Sequence, residues 1–317
     1  MFLQFIAREQ LAKAQAFAKE QGMLLGLYRD LAVGVSEAST EIWGNPELYC
    51  RGASVGAPPD ILGPKGQNWG LPPMLPYQMF QQAYRPMIDL FRANMQNSGA
   101  LRIDHVMALL RLWWVPKGAE SAGDGAYVYY PIQDLLGILA LESQRHQVVV
   151  IGEDLGTVPV EISHLLAQYQ VLSYRVFMLE QKTGSYDYAA QTYPELALAT
   201  VTTHDMPTLV GYWQQGDLEL RHELDLFPNP QVADSLYQLR ADEKQLMSQR
   251  LQLHEGDYQQ LIRASHLFTA QQPARLFAFQ LEDLLLMSTP VNIPGTSNEY
   301  PNWRRRLTDN IDTILQR

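Results

Sequence analysis

A single cysteine, Cys50, stands in the whole chain, so no internal disulfide can form and the usage fits a reducing cytoplasm. A lone cysteine of this kind is most often a small, half-buried residue. Long hydrophobic runs are missing too: no stretch of about 18 apolar residues occurs, which excludes a transmembrane helix. The first residues, Met1-Phe2-Leu3-Gln4-Phe5, lack a basic n-region and do not read as a signal peptide. Positive charge is scarce. Against 34 Asp and Glu there are 24 Lys and Arg, a formal net charge of -10, which argues against nucleic acid or an anionic membrane as partner. No Gly-x-Gly-x-x-Gly follows the first apolar run, no P-loop occurs, and no His-x-His or His-Glu-x-x-His is present. His222-Glu223-Leu224-Asp225 fails the metalloprotease spacing. Internal repeats, low-complexity tracts and interdomain linkers are likewise absent.

What remains is a chain of 317 residues with 46% hydrophobic content, enough for one large core. An α/β barrel runs to about 250 residues as one unit. The segment 2–21 has apolar residues at helical spacing (Leu3, Ala7, Leu11, Ala14, Ala18) and is stopped by Gly22. MLLGLYRDLAVGV then reads as a buried strand. From about Ser36 to Pro76 the pattern predicts a long loop rich in Gly, Pro and Trp, and a connection of that length is either functional or disordered. A helix is expected over about 77–96. Further strands are ALRIDHV, QVVVIGEDLG, VLSYRVFML, LALATVTTHD and ARLFAFQLEDLLL, with helices between them at 132–144 and 160–168. A long polar stretch of helical period covers 231–264. Six strands alternating with helices imply βαβ units and a parallel sheet.

Three of these strands end in carboxylates: Asp104 in LRIDH, Glu153 in VVVIGED and Asp205 in ATVTTHD. They lie about fifty residues apart in the chain, yet in a parallel α/β barrel all strand C-termini open on one rim. A lone Asp at a strand end is more often a helix cap or a turn residue than a catalyst. Three such ends with Arg and His attached are harder to dismiss. Acetal cleavage with retention needs one ionised carboxylate to attack and one protonated carboxyl to release the leaving oxygen, about 5–5.5 Å apart. Arg102, two residues before Asp104, points to the same strand face and can hold the nucleophile ionised. Glu153 needs desolvation or a like-charged neighbour to keep its proton, and Asp104 and Asp205 would supply the second condition. Asp205 could bind the hydroxyls of a distorted sugar, with His204 and His105 as hydrogen-bond donors to the same ring. Asp154 is expected to cap its own Leu155-Gly156 turn. Trp43 and Trp69 either fill a loop core or stack on a sugar. Of Trp113 and Trp114, one is expected in the core.

LRIDHVMALLRLWWVP, VVVIGEDLGTVP and TTHDMPTLVGYW resemble three signature segments of the amylomaltase/disproportionating-enzyme family, the 4-α-glucanotransferases of glycoside hydrolase family 77. GLYRDLAVGV, the PPD…GQNWG loop and NIPGTSNEYPNWRRRL are similar to the same family, so the likeness covers essentially the whole chain. It implies an α/β fold of the (β/α)8 TIM-barrel type in one catalytic domain, residues 1–317. Only strands three to eight are expected here, the first two strands and the N-terminal region being absent. Asp104 would be the nucleophile, Glu153 the general acid/base and Asp205 the third carboxylate. Arg102, His204, Asp60 and Trp69 would line the donor cleft, and Asn292 the same rim. The implied partners are α-1,4-glucans, maltooligosaccharides and glucose, with no nucleic acid and no membrane. No cofactor and no metal is implied. A sheet open at two edges is expected to aggregate, and the isolated chain to be poorly stable and weakly active or inactive. Two other readings stay open: a truncated, non-catalytic glucan-binding barrel fragment, and an α-glucan hydrolase. A metal-dependent barrel hydrolase is the more distant competitor.

Overall fold

The computed structural model describes residues 2–59, 66–180, 193–254, 256–296 and 298–316. The chain divides into two compact units, 1–174 and 175–317.

In the first unit the strands in chain order are β1 (Tyr28–Leu31), β2 (Ala53–Ala57), β3 (Gln67–Leu71), β4 (Ala100–Ile103), β5 (Arg111–Pro116), β6 (Ala126–Tyr129), β7 (Val149–Gly152) and β8 (Leu172–Val176), the division falling inside β8. The helices are α1 (Phe2–Glu20), α2 (Thr40–Gly44), α3 (Pro76–Gln81), α4 (Arg85–Met95), α5 (Ile132–His146) and α6 (Val160–Gln168). β1, β4, β7 and β8 are parallel neighbours in that order. β4 is buried along its whole length and β7 along nearly all of it, which is why both read as uninterrupted apolar runs. On α4, Met87, Phe91 and Met95 recur every four residues and are buried. On α5, Leu135, Leu136 and Leu139 are buried, and the two helices pack together. Their seam holds Glu142, fixed by two hydrogen bonds from Arg92 at 2.9 and 3.0 Å and one from Arg145 at 2.8 Å.

A second sheet differs from the sequence expectation. β3, β2, β5 and β6 form an antiparallel sheet in that order. Two of its strands come from the segment expected to be loop over 36–76. Their glycines disguised them, and one of these has a steric cause. A Cβ on Gly56 would lie 2.1 Å from the Gln67 carbonyl oxygen, at a register shift between β2 and β3. Trp113 and Trp114 both sit on β5, half-buried; Trp113 donates to the Ala122 carbonyl at 2.8 Å and Trp114 packs on the core. The helix expected over 77–96 is two helices. Ala83 (φ 50°) and Tyr84 (φ 56°) break it in the left-handed region, and Pro86 starts the second half.

In the second unit, α7 (Phe177–Glu180), β9 (Ala197–Thr200), α8 (Leu209–Gln214), α9 (Gly216–Glu223), α10 (Pro230–Leu251), α11 (Tyr258–Ala270), β10 (Leu276–Ala278), α12 (Leu281–Leu284) and α13 (Ile311–Ile314) follow one another. β9 and β10 pair in parallel. The polar stretch 231–264 is not one helix: Gln252 closes α10 in the left-handed region and Asp257 caps α11. Arg240 on α10 is buried and bridges Asp217, with the Tyr212 carbonyl as a third acceptor at 2.9 Å. Asp283, fully buried, accepts from the Leu209 amide at 3.0 Å and lies 3.2 Å from the His266 Nε2, fastening α8, α11 and α12 together. No described helix is long and apolar enough to cross a membrane.

The periodicity of α1 is real but its apolar face is not covered within the described residues. No residue of α1 is buried, and Phe2, Leu3, Phe5 and Phe17 are all more than half exposed. The double variant Phe5→Lys/Phe17→Glu is expected to lower self-association, read by light scattering, while the melting temperature stays within about 2 °C. A larger drop would mean that α1 packs tightly in solution.

Candidate functional site

The parallel register sets the chemistry of the first unit. Ile103 pairs with Gly152, and the ladder continues one residue further: the Glu153 amide donates to the Ile103 carbonyl at 3.0 Å and the Asp104 amide to the Leu31 carbonyl at 3.0 Å. Asp104 and Glu153 are therefore the first residues beyond two adjacent strands. Strands are about 4.8 Å apart, and in-register residues of parallel neighbours face the same way. Two carboxyl groups so placed start from nearly the separation that retention at an acetal carbon demands.

Arg102 shares that face, two residues before Asp104. Its guanidinium lies 2.9 Å from the Asp104 Oδ1, and it donates to both oxygens of Asp30 at 2.7 and 2.9 Å. Asp30 is the register partner of Arg102 on β1. The guanidinium also lies 5.7 Å from the Tyr174 ring centroid. Burial alone would pull its pKa down; Asp104 and Asp30 outweigh that and raise it. Among the described residues its buried Nε has no hydrogen-bond partner.

Glu153 is 9% exposed. Burial, helped by the charge of Asp104, pushes its carboxyl up to about 7. Arg102 and two backbone donors pull the other way: the His105 amide reaches Oε2 at 2.7 Å and the Leu155 amide Oε1 at 3.0 Å. Of the two conditions expected to keep this proton, desolvation comes first and the charge of Asp104 adds to it. Asp154 does not cap the Leu155 turn as expected. Glu153 accepts that amide, and the buried Asp154 instead takes the Ser173 hydroxyl at 2.5 Å and the Tyr174 amide at 2.8 Å, tying the end of β7 to β8. Gly152 admits Val106: an added Cβ would come within 3.0–3.1 Å of its side-chain carbons.

His105 has left-handed backbone (φ 46°), which turns the chain sharply after Asp104. Burial holds its imidazole down to about 4, so it is neutral at pH 7. Its ring meets Trp69 edge-on at 5.6 Å, and the Trp69 indole N–H is anchored to the Gln67 Oε1 at 3.0 Å. Trp43, by contrast, is 85% exposed on α2. Asp60 lies outside the described residues.

In the second unit a threonine-rich turn follows β9. Thr202 Oγ1 donates to the Pro207 carbonyl at 2.9 Å, and the Asp205 amide donates to Thr203 Oγ1 at 3.3 Å. Asp205 stands partly exposed at its tip, 3.1 Å from the His204 Nε2, and accepts from the Asn292 Nδ2 at 2.7 Å. Three residues singled out in the sequence thus meet. Sequence reasoning missed Asp30 and Trp303. Asp30 ends GLYRD and was legible only through its register with Arg102. The Trp303 ring lies 5.3 Å from that of His204.

The 4-alpha-glucanotransferase family model matches residues 1–312. The chain belongs to this family, glycoside hydrolase family 77. The 4-alpha-glucanotransferase of Haemophilus influenzae is 45% identical over 99% of this chain and 46% of its own length. That of Mycobacterium bovis is 38% identical over 97% of this chain and 44% of its own. The crystal structure of amylomaltase from Corynebacterium glutamicum matches with TM-score 0.88 at 31% identity, covering 100% of this chain and 48% of that one. The fold is therefore the TIM-barrel-type α/β fold of the amylomaltases, present in part. An amylomaltase from Streptococcus agalactiae, solved in complex with acarbose, shares the fold at TM-score 0.75 and 20% identity. The chain spans about half the length of the curated relatives it matches.

Glu153 links stability to pH. A carboxyl whose folded pKa is raised from 4.5 to about 7 binds its proton more tightly when folded. Its favourable contribution is complete below the unfolded value and is lost as pH rises through about 7. Glu153→Gln cannot titrate. Between pH 4 and pH 8 the unfolding free energy of the wild type is expected to fall relative to this variant by on the order of 2–3 kcal/mol in urea titrations. A pH-independent difference would mean that Glu153 is not desolvated.

Proposed function

We propose that this chain carries the chemistry of a retaining 4-α-glucanotransferase acting on α-1,4-glucans and maltooligosaccharides, with glucose as an acceptor, and that residues 1–317 belong to one catalytic domain. The observation that supports this best is the pair of in-register strand ends. One carboxylate, Asp104, is held against a buried guanidinium, and its neighbour Glu153 is kept protonated up to about pH 7.

In the first step the Asp104 carboxylate attacks the anomeric carbon of the donor glucose. The bond from that carbon to the bridging oxygen breaks, Glu153 gives its proton to the departing oxygen, and a glycosyl ester on Asp104 results. In the second step the 4-hydroxyl of an acceptor sugar gives its proton to the Glu153 carboxylate and attacks the same carbon. The ester breaks, Asp104 leaves as carboxylate, and an α-1,4 bond is restored with the original configuration. A carboxyl poised near 7 suits both directions, because it gives and takes the proton with little cost. Arg102 fixes Asp104 on the attacking side. We assign Asp205 to the hydroxyls of the distorted ring, with His204, His105, Trp69, Asn292 and Asp60 as further sugar-binding residues. Neutral His105 can donate or accept. Transfer rather than hydrolysis requires that a sugar hydroxyl outcompete water at the ester.

Purified chain incubated with maltotriose is expected to yield glucose together with longer maltooligosaccharides, resolved by size. Asp104→Asn and Glu153→Gln should each lower the rate by about 10³-fold or more. Maltosyl fluoride, whose leaving group needs no proton, should restore the first step to Glu153→Gln but not to Asp104→Asn. Glucose and maltose without longer products would mean hydrolysis. No products at all would overturn the reading for residues 1–317.

A further inference from the structure

Among the non-glycine residues with positive φ, Gln147, Gln215 and Gln252 each close a helix, the ordinary use of that conformation. Trp303 closes none. It lies in the irregular segment between α12 and α13, at φ 63°, where a bulky side chain is disfavoured. The conformation is enforced locally. The Trp303 amide donates to the Val291 carbonyl at 2.9 Å, and the flanking Asn302 side chain accepts from the Ile293 amide at 2.9 Å and donates to Thr296 Oγ1 at 2.8 Å. These bonds bracket Asn292, whose amide holds Asp205. The same backbone knot therefore sets both the Asn292 side chain and the Trp303 indole.

Burial does not account for the strain. Trp303 is 63% exposed, so its ring is not there to fill a core. The ring is tilted 50° to that of His204, with centroids 5.3 Å apart, and His204 pairs with Asp205. An exposed indole beside a carboxylate, an imidazole and an amide has the make-up of a pyranose site: an apolar face for the C–H side of the ring and polar groups for its hydroxyls. Strain kept at an exposed aromatic residue suggests a role in binding rather than in stability.

We propose that Trp303 is a sugar-stacking platform that seats a glucose unit of an α-1,4-glucan against the Asp205, His204 and Asn292 side chains. The inference rests on the glucanotransferase reading for the identity of the ligand. It makes Trp303 a specificity-determining residue whose indole is preorganised by a backbone that glycine would adopt more easily.

The test separates platform from scaffold by measuring affinity and stability on the same variants. Maltoheptaose binding by calorimetry, thermal melting and maltotriose transfer are compared for the wild-type chain, Trp303→Gly, Trp303→Asn and Trp303→Phe. Glycine and asparagine tolerate left-handed backbone, so both should keep or raise the melting temperature while weakening maltoheptaose binding by about tenfold or more. Phenylalanine keeps a ring and should stay within about threefold of the wild type. A fall in melting temperature for both Trp303→Gly and Trp303→Asn, or binding unchanged in both, would overturn the proposal. If the wild type transfers but these variants bind as well as it does, the platform falls and the transferase reading stands. If binding follows the expected order without transfer by the wild type, the platform stands and the transferase reading falls. A wild-type chain that binds no maltoheptaose overturns the platform outright.

Discussion

The buried guanidinium of Arg102 is the interaction on which the first unit's chemistry turns. A charge in that position is expensive to desolvate and persists only if carboxylates surround it. Two do: Asp30 from β1 with both oxygens, and Asp104 from the end of its own strand. The arrangement ties β1 to β4 through one side chain, because Asp30 is the register partner of Arg102. A slip of one residue between β1 and β4 would turn Asp30 to the opposite face and leave the cation half-compensated. The charge cluster therefore specifies the same register that the apolar strands pack into. It also fixes where Asp104 points.

Glu153 shows the opposite balance. It has a cation nearby and two backbone N–H donors on its oxygens, each of which favours the ionised form. Burial and the charge of Asp104 still win, and the group titrates at about 7. Neighbouring carboxyls one strand apart thus occupy environments suited to different protonation states, which is the condition for dividing nucleophile from acid/base between identical functional groups. The backbone donors do a second job. Each comes from a turn just after a strand end, so the Glu153 carboxyl is aimed by the main chain rather than by another side chain that would have to be held in turn.

Much of this was legible in the sequence, because parallel strands buried on both faces are written as apolar runs ending in polar residues. β4, β7, β8 and β9, the helices expected at 132–144 and 160–168, and the positions of Asp104 and Glu153 just past strand ends follow from that rule, whereas β1 and β10 are short and not buried and Asp205 stands in the turn beyond β9. The antiparallel sheet was hidden for a physical reason: β2 and β3 are short, carry Gly56 and Gly70, and lack an apolar run. The break in the 77–96 helix was hidden too, because Ala83 and Tyr84 are ordinary helix residues forced into left-handed backbone by context. Asp30 and Asp154 illustrate a further limit. Each looks like a turn or strand-end acid in isolation, and only register or the neighbouring strand reveals its partner.

The turn after β9 carries the same logic in a different material. Where Glu153 is aimed by amides, Asp205 is presented by threonine hydroxyls that satisfy the turn's own backbone and by an asparagine from a distant loop. Trp303 then stands apart from every device that stabilises the unit: it is neither buried nor a helix cap, and it occupies a conformation that costs about 1 kcal/mol or more for a side chain of its kind. Its indole stands beside the His204 ring, and strain kept at an exposed residue fits a role in binding better than one in packing.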